Sequence, residues 1–465
     1  MRETAIVTNT IMTRVTGKRR YITMAICAFL AGAGIVGAAD GATVREKDLF
    51  LFDGANGAAP QGGLVADAKG NLYGTTYLGG GAYGFGNVFE LSRTNGGWKE
   101  KVLFNFTGGA DGGGPLDSLV FDASGNLYGT TISGGQGQCL WNGTQWYGCG
   151  VVFELSPSGK TWQENVLFSF VPGQVKGVMP VGGLVFDGAG NLYGTTYAPG
   201  VDGGPRYSRT ANGINPPTYW GCNDPGCGGS VYELSPTQNG WQEKDIYGFT
   251  GGSDGGVSEA NLVFDAAGNL YGTTVYGGST GCVSGYGCGV VFEVSPGRRG
   301  WSESVLHTFS ATDGAYPQGS VTFDSQGNLY STTSYGGSGN CNVLYEPPGC
   351  GTVFRLKPGK AGWKESVLYN FGDGDDGGMP FAAVIMDGQG DLLGTTFDGG
   401  SAHEGVVFKL APSRRSWKES VLYAFSYPGA GQPVAPLLAM PDGRLVDTSV
   451  NGGSQDYGAV FELIP

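Results

Sequence analysis

The sequence predicts an all-β protein, a closed seven-bladed β-propeller with four antiparallel strands in each blade. A heptapeptide of the type GNLYGTT recurs seven times, at intervals of 53 to 78 residues along the 465-residue chain. Each repeat contains four short apolar runs separated by turn residues, which is typical of a propeller blade. The repeat region also begins with one additional strand and ends one strand short, which predicts closure into a ring.

The heptapeptide joins the first two strands of each blade. It follows aspartate in the segments FDASGN, FDGAGN and FDAAGN. Aspartate can accept hydrogen bonds from a turn backbone, and glycine can adopt positive φ, so a tight hairpin is predicted. The tyrosine is expected to pack between blades, and the two threonines are good strand formers. Seven copies indicate architecture rather than catalysis.

The third and fourth strands of each blade are apolar on both faces, as in VVFEL and VLFSF. This pattern fits strands enclosed between neighbouring blades. Arg355 and Lys409 replace the glutamate of the third strand in two repeats, which predicts an inter-blade polar contact at positions such as Glu90, Glu154 and Glu233. Tryptophans that open the fourth strands are predicted to belong to the blades: Trp98, Trp162, Trp241, Trp301, Trp363 and Trp417.

The last repeat, residues 436–463, ends after its third strand. The missing fourth strand is found at the start of the repeat region, where VREKDLFLFDG matches WKESVLYNFGDG from Trp363 onward. The segment from Val44 to Phe52 is therefore predicted to complete the last blade and leave no open sheet edge. An open β-solenoid is the alternative, and it would not need complementary ends.

The N-terminus has the pattern of an export signal. Basic residues at 18–20 precede the stretch YITMAICAFLAGAGIVGAA, which ends in small residues suited to cleavage. We therefore predict a signal peptide over residues 1–39, a propeller over residues 40–465, and a secreted or cell-envelope location. An uncleaved membrane anchor is the alternative, since the apolar stretch is long enough to span a bilayer. Lipid attachment at Cys27 is not favoured, because a bulky isoleucine precedes it.

The chain is acidic. Its net charge is −13, and without residues 1–39 it holds 22 basic and 39 acidic residues, a net charge of −17. Such a surface disfavours nucleic acid and anionic membranes as partners. We expect a monomer without a further membrane span, and a carbohydrate, a cation or a protein as its ligand.

Eight cysteines follow the signal in close pairs, each between the second and third strands of a blade. In an exported chain this pattern predicts four local disulfides. Zinc is the alternative, but the four spacings differ and the only histidines are His307 and His403. The pairs are Cys139 and Cys149, Cys222 and Cys227, Cys282 and Cys288, and Cys341 and Cys350.

Acidic, glycine-rich loops precede the first strand of each blade. The loop FGDGDDGGMP holds Asp373, Asp375 and Asp376 and offers a weak calcium site. The EF-hand pattern fails, because Gly377 stands at the fifth position and Val384 at the twelfth. Turn formation by Asp-Gly is the main interpretation, so no cofactor is expected beyond this possible calcium ion.

The two longest cysteine loops, 132–150 and 197–229, carry a group of aromatic residues. Aromatic side chains on stapled loops can stack on sugar rings or anchor a protein partner. Packing over their own disulfides is the alternative. Because strands alternate in direction, the acidic loops and the cysteine loops are predicted to share one face of the ring. The candidate ligand-binding residues are Trp141, Trp146, Tyr147, Tyr219 and Trp220.

No Ser/His/Asp set, phosphate loop or metal triad is recognisable in the sequence, and no catalytic residue is predicted. The predicted function is that of an extracellular binding module. The alternatives are an extracellular lyase or hydrolase acting on a carbohydrate or lactone-type substrate, and a purely structural envelope protein. Polar residues clustered at the channel mouth, with a carboxylate near His403, would favour an enzyme, whereas a broad off-axis aromatic patch would favour binding.

The full unit, GG-DG-x-x-P … GLVFD-x-x-GNLYGTT-x-x-GG … GTVFEL … W-x-ESVLY-x-F, resembles the GloVer (Gloeo/Verruco-type) tandem repeat of exported bacterial proteins. The resemblance covers nearly all of the chain after the signal. It implies a secreted or surface-anchored propeller of unassigned activity, often with a C-terminal sorting anchor. This chain ends at FELIP inside the last blade, so such an anchor is not predicted. A weaker resemblance links the unit to propellers of the NHL and virginiamycin lyase types.

Overall fold

The computed structural model describes residues 44–141, 145–146, 148–200, 206–207, 228–279, 281–282, 286–341, 347–414 and 416–465. All regular structure in these residues is β-structure. Within this part of the chain, no helix is long and apolar enough to cross a membrane. Seven antiparallel sheets, one for each repeat, confirm the predicted seven-bladed propeller.

The first strand of each blade pairs only with the second, and the fourth strand lies at the other edge of the sheet. Strand β1 (Arg45–Leu51) belongs to blade 7. Blade 1 comprises β2 (Val65–Ala66), β3 (Leu72–Thr76), β4 (Asn87–Thr94) and β5 (Gly97–Asn105). Blade 2 comprises β6 (Val120–Phe121), β7 (Leu127–Thr131), β10 (Val151–Ser158) and β11 (Thr161–Ser169), with β8 (Leu140–Trp141) and β9 (Gln145–Trp146) in its cysteine loop. Blade 3 comprises β13 (Val185–Phe186), β14 (Leu192–Pro199), β16 (Gly229–Thr237) and β17 (Gly240–Phe249), with an added β12 (Gly177–Pro180) and a loop strand β15 (Arg206–Tyr207).

The other blades follow the same order. Blade 4 comprises β18 (Val263–Phe264), β19 (Leu270–Thr274), β20 (Val290–Gly297) and β21 (Gly300–Thr308). Blade 5 comprises β22 (Thr322–Phe323), β23 (Leu329–Thr333), β24 (Thr352–Lys357) and β25 (Lys364–Asn370). Blade 6 comprises β26 (Ile385–Met386), β27 (Leu392–Thr396), β28 (Val406–Pro412) and β29 (Trp417–Ala424). Blade 7 comprises β30 (Leu438–Ala439), β31 (Leu445–Ser449), β32 (Ala459–Ile464) and β1.

The hairpins that open blades 1 to 6 have the predicted aspartate turn, and Met440 replaces the aspartate in blade 7. In blade 1, Asp67 Oδ1 accepts hydrogen bonds from the backbone N–H groups of Lys69 and Asn71, at 2.8 and 2.9 Å. Gly70 adopts φ of +78°, a left-handed conformation that favours glycine. The aspartate therefore satisfies the turn backbone, and the heptapeptide begins in the turn and ends in a fully buried strand.

Aromatic side chains fill the seams between blades. The ring of Tyr73 lies 5.1 Å from Phe121 and 6.3 Å from Trp162 of the next blade, both edge-on. This confirms that the tyrosine packs between blades and that the outer-strand tryptophan is structural. A second edge-on pair recurs at each of the seven seams: Phe52–Phe89, Phe106–Phe153, Phe170–Tyr232, Phe249–Phe292, Phe309–Phe354, Phe371–Phe408 and Phe425–Phe461.

The N-terminal strand closes the ring as predicted. Strand β1 pairs antiparallel with β32, from Arg45 opposite Ile464 to Leu51 opposite Ala459. Blade 7 thereby gains its fourth strand from the beginning of the repeat region. Phe52, directly after β1, then makes the seam contact with Phe89 of blade 1.

The first threonine of each heptapeptide links neighbouring blades. Its hydroxyl donates to a backbone carbonyl just before the first strand of the next blade, over 2.8 to 3.4 Å. This role goes beyond the strand preference read from the sequence. The seven pairs are Thr75–Asp117, Thr130–Gly182, Thr195–Ala260, Thr273–Gly319, Thr332–Ala382, Thr395–Ala435 and Thr448–Gly62.

The expectation of an inter-blade contact for the third-strand glutamates is wrong. Glu154 accepts a hydrogen bond from the hydroxyl of Tyr128 at 3.2 Å, and the two residues are register partners on adjacent strands of one blade. Directly opposed residues in an antiparallel pair project from the same face, so the contact stays within the blade. In blade 6, Lys409 replaces this glutamate and forms an ion pair with Asp391.

Candidate functional site

The loops between second and third strands and the loops entering first strands meet on one side of the ring, here called the stapled face. Backbone bridges join the two loop types, as between Gly113 and Ser133 and between Gly256 and Tyr276. This confirms that the cysteine loops and the acidic loops share one face. The opposite face carries the short turns between first and second strands and between third and fourth strands.

Three of the four predicted disulfides lie within the described residues and are formed. They join Cys139 to Cys149, Cys282 to Cys288, and Cys341 to Cys350. These six cysteines are therefore not zinc ligands. Cys222 and Cys227 lie outside the described residues, so the fourth disulfide stays a prediction.

The second cysteine of each described pair also holds the seam to the next blade. The carbonyl oxygens of Cys149, Cys288 and Cys350 accept N–H bonds from Met179, Tyr316 and Met379, at 2.8 to 2.9 Å. Each acceptor cysteine is fully buried. The disulfides thus fix the edge of the neighbouring blade as well as their own loop.

The three donors adopt φ of +53° to +63°, which is uncommon for bulky residues. Each one precedes a proline, and a pre-proline residue is normally biased toward the extended region. For this reason the left-handed conformation of these residues, and the hydrogen bond it allows across the seam, could not be inferred from the sequence. Six of the seven entering loops share this residue–proline step, and that recurrence was the available signal.

The two longest cysteine loops join in a small sheet, here called the loop platform. Strands β8 and β9 form an antiparallel hairpin in the blade 2 loop, and β15 of the blade 3 loop pairs parallel with β8. The register places Tyr207 opposite Trp141. Loops 132–150 and 197–229 are therefore connected backbone to backbone.

The structure describes the backbone of two of the five candidate aromatic residues. The backbones of Trp141 and Trp146 lie in β8 and β9 of the loop platform. Tyr147, Tyr219 and Trp220 lie outside the described residues. The assignment of these five residues to a ligand site stays a prediction.

A polar cluster that sequence reasoning missed lies at the centre of the ring. Asp117 Oδ1 accepts a hydrogen bond from Asn261 Nδ2 at 3.3 Å, although these residues belong to blades 2 and 4. The backbone N–H of Gly183, from the intervening blade 3, donates to Asp117 Oδ2 at 3.0 Å. Burial raises the pKa of the Asp117 carboxyl, while its hydrogen bonds oppose the shift.

The signal for this cluster was a departure from the repeat. Six of the seven positions equivalent to Asp117 hold glycine or alanine, because the neighbouring backbone leaves little room. A Cβ added to Gly62 would lie 2.5 Å from the backbone of Asp117. Asp117 is the only ionisable residue among these seven described positions: Gly62, Asp117, Gly182, Ala260, Gly319, Ala382 and Ala435.

The acidic loop of residues 371–380 does not bring its three aspartates together. Asp376 accepts backbone bonds from Gly372 and Gly374, at 2.9 and 3.2 Å, as expected of a turn former. Asp373 instead approaches Asp398 and His403, with potential ligand atoms within 4.8 Å of one another. Asp375 is exposed. Calcium binding by Asp373, Asp375 and Asp376 stays a prediction.

Comparison with protein families gives one match. The Gloeobacter/Verrucomicrobia repeat matches residues 31–215 and 286–465. The matched segments cover most of the chain. No curated protein matches it.

Similar solved structures include three proteins of low sequence identity. A Dyadobacter fermentans protein of unknown function is 12% identical, covering 90% of this chain and 98% of its own, with a TM-score of 0.43. A putative glucose dehydrogenase of Thermus thermophilus is 13% identical, covering 90% and 100%, with a TM-score of 0.38. A gluconolactonase of Xanthomonas campestris is 14% identical, covering 90% and 89%, with a TM-score of 0.41. Similarity at this level does not indicate the activity of this chain.

Proposed function

This chain belongs to the Gloeobacter/Verrucomicrobia repeat family, and we propose that it is an exported binding module whose ligand site is the loop platform of blades 2 and 3. The backbone pairing of β8 with β15 is the observation that carries this proposal. It joins the two longest loops of the stapled face into one surface. Variable loops on a regular scaffold are where binding sites commonly lie. The three disulfides support export, since such bonds persist in oxidising compartments.

A carbohydrate is the favoured ligand. The two joined loops contain three tryptophans and several tyrosines within a few dozen residues. Aromatic side chains offer large, flat apolar faces at low entropic cost, and such faces suit sugar rings. The acidic net charge favours a neutral or basic glycan over an acidic one. A protein ligand anchored by the same aromatic residues is the main competing outcome.

A glycan array with the intact exported chain tests this proposal. We expect selective binding to a small group of glycans, and loss of at least about tenfold in affinity for a Trp141→Ala/Trp146→Ala variant. The matched control is Tyr83→Ala, which removes a 68% exposed tyrosine from blade 1, outside the loop platform. Binding unchanged in the double variant, with the fold intact by circular dichroism, would contradict the site. Failure to bind any glycan would contradict the ligand class.

A hydrolase or lyase is the second candidate function, and Asp117 favours it. A partly buried carboxyl with a raised pKa can hold a proton for general acid catalysis. Asn261 lies beside it and offers a side-chain amide to a substrate oxygen. The test is turnover of polysaccharides and lactones by the wild type and by Asp117→Asn. Turnover that Asp117→Asn abolishes would support this function, and an inactive wild type would contradict it.

A further inference from the structure

The outer strands of neighbouring blades lie next to each other, and the strip between them, here called a groove, has the same kinds of residues at several blade pairs. In the groove between blades 5 and 6, the hydroxyl of Tyr369 donates to Asp376 at 2.9 Å, and Glu419 of the next blade lies beside this aspartate. Tyr247 and Asp254 make the equivalent contact at 3.0 Å between blades 3 and 4. The common set is therefore an aromatic residue, an aspartate of the linking loop and a glutamate of the next blade.

The groove between blades 4 and 5 holds histidine where these two grooves hold tyrosine. His307 Nε2 lies 3.1 Å from Asp313 Oδ2. Glu365 of blade 5 completes the set, and one ligand atom from each of the three residues lies within 4.8 Å of the others. The side chains of His307 and Asp313 are only 19% and 25% exposed. Oε1 of Glu365 is sealed from solvent and has no hydrogen-bond partner.

We propose that His307, Asp313 and Glu365 bind a divalent transition-metal ion of the Zn²⁺ type. One imidazole and two carboxylates are ligands that Zn²⁺ accepts, with bonds of about 2.0–2.2 Å. Two ligand atoms on one such ion lie at most about 4.3 Å apart. The 3.1 Å pair already meets this limit, and a carboxylate oxygen of Glu365 lies within 4.8 Å of both partners.

The surroundings hold two of the ligands in place. Asp313 Oδ1 accepts bonds from the backbone N–H and the hydroxyl of Ser310, at 2.9 and 3.1 Å, so Oδ2 remains directed toward the imidazole. The ring of His307 packs edge-on against Phe309, with centroids 4.7 Å apart. Partners that orient a ligand in this way strengthen metal binding.

Comparison with the grooves that hold tyrosine separates two possible roles of His307, that of a metal ligand and that of a hydrogen-bond donor only. A tyrosine hydroxyl replaces the donor function of His307 toward the aspartate, but it does not supply an imidazole lone pair. Because β21 and β25 belong to different blades, an ion held here would also cross-link two blades. Metal binding should therefore raise the melting temperature of the folded chain.

The test is calorimetric titration of the intact, disulfide-bonded chain with Zn²⁺, together with thermal melting with and without the ion. We expect one site at this groove, and at least about tenfold weaker binding there in His307→Tyr. This variant keeps the hydrogen bond seen at Tyr369 and should keep the metal-free melting temperature. Cobalt substitution should give a visible absorption spectrum in the wild type that His307→Tyr lacks.

Two further variants make the result decisive. Tyr369→His places the same ligand set beside Asp376 and Glu419 and should add a second site. His403→Ala removes the exposed histidine near Asp373 and Asp398, the other described group of possible ligands. Unchanged zinc affinity in His307→Tyr would overturn the proposal, and so would loss of the ion in His403→Ala alone. Absence of binding by the wild type would overturn it as well.

Discussion

Thr448 Oγ1 lies 3.1 Å from the carbonyl oxygen of Gly62 and donates a hydrogen bond between residues 386 positions apart. It is the seventh copy of a contact that the other six blades make along consecutive repeats. The last seam is therefore closed by the same bond as every internal seam, and the ends of the repeat region are held by side-chain contacts as well as by strand pairing.

Removing the threonine hydrogen bond of the last seam should destabilise the fold about as much as removing the equivalent bond of an internal seam. Thr448→Val and Thr273→Val each leave a buried carbonyl, and each should lower the free energy of unfolding by about 0.5–1.5 kcal/mol. Chemical denaturation of the two variants measures the difference. Destabilisation by Thr273→Val without an effect of Thr448→Val would mean that the last seam is not closed in this way.

The ion pair between Lys409 and Asp391 of blade 6 should be sensitive to reversal of the lysine charge. Lys409→Glu places two carboxylates face to face, because Asp391 stands where five other blades hold asparagine. We expect destabilisation by about 1–3 kcal/mol. The double variant Asp391→Asn/Lys409→Glu removes this repulsion, because it gives blade 6 the asparagine and glutamate of the other repeats, and should recover most of this loss. A double variant no more stable than the single one would show that the two residues are not coupled.

Asp447 is predicted to weaken blade 7 at neutral pH. It is fully buried, one of its oxygens has no partner, and burial raises its pKa well above the ordinary range. Ser331 occupies the same position in blade 5 and donates to the carbonyl of Ser320 at 2.9 Å. Asp447→Ser should therefore raise the free energy of unfolding at pH 8 by about 1–3 kcal/mol. Because the raised pKa favours the neutral form in the fold, the gain should shrink toward pH 4.

We predict that the free energy of unfolding decreases as the pH rises, because of glutamates in the outer strands. Burial is the first cause that raises the pKa of Glu164 and Glu303 to about 7, from an ordinary 4.5, and a nearby aspartate adds to it. Acids with raised pKa values stabilise the fold fully below pH 4.5 and lose this contribution as the pH rises through 7. The melting temperature should therefore fall between pH 5 and 8, less steeply in Glu164→Gln/Glu303→Gln. An equal slope in that variant would contradict the assignment.

The fold could be predicted because the same sequence pattern occurs in seven repeats, each of which indicates the same blade structure. The aspartate–glycine turn and the apolar strands are local patterns, and the complementary ends needed only a comparison between two segments. The direction of the third-strand glutamates could not be fixed in this way, because a charge exchange such as Lys409 for glutamate fits a partner in the same blade or in the next one. The register of Tyr128 opposite Glu154 decided it.

The candidate site was less predictable, because its contacts join residues that the sequence separates. Pairing of β8 with β15 depends on two irregular loops from different blades, and no local pattern determines it. Asp117 and Asn261 meet only because the blades converge at the ring centre. The departure of Asp117 from the glycine or alanine of the sister repeats was visible, but its meaning required the three-dimensional ring.

The central claim is that ligand binding takes place on the loop platform of blades 2 and 3. Hydrogen–deuterium exchange of the intact chain, with and without the glycan that gives the strongest array signal, tests it most directly. We predict slower exchange in residues 132–150 and 197–229, with no change in the turns of the opposite face. Protection confined to another blade or to the opposite face, with the platform loops unchanged, would contradict the account.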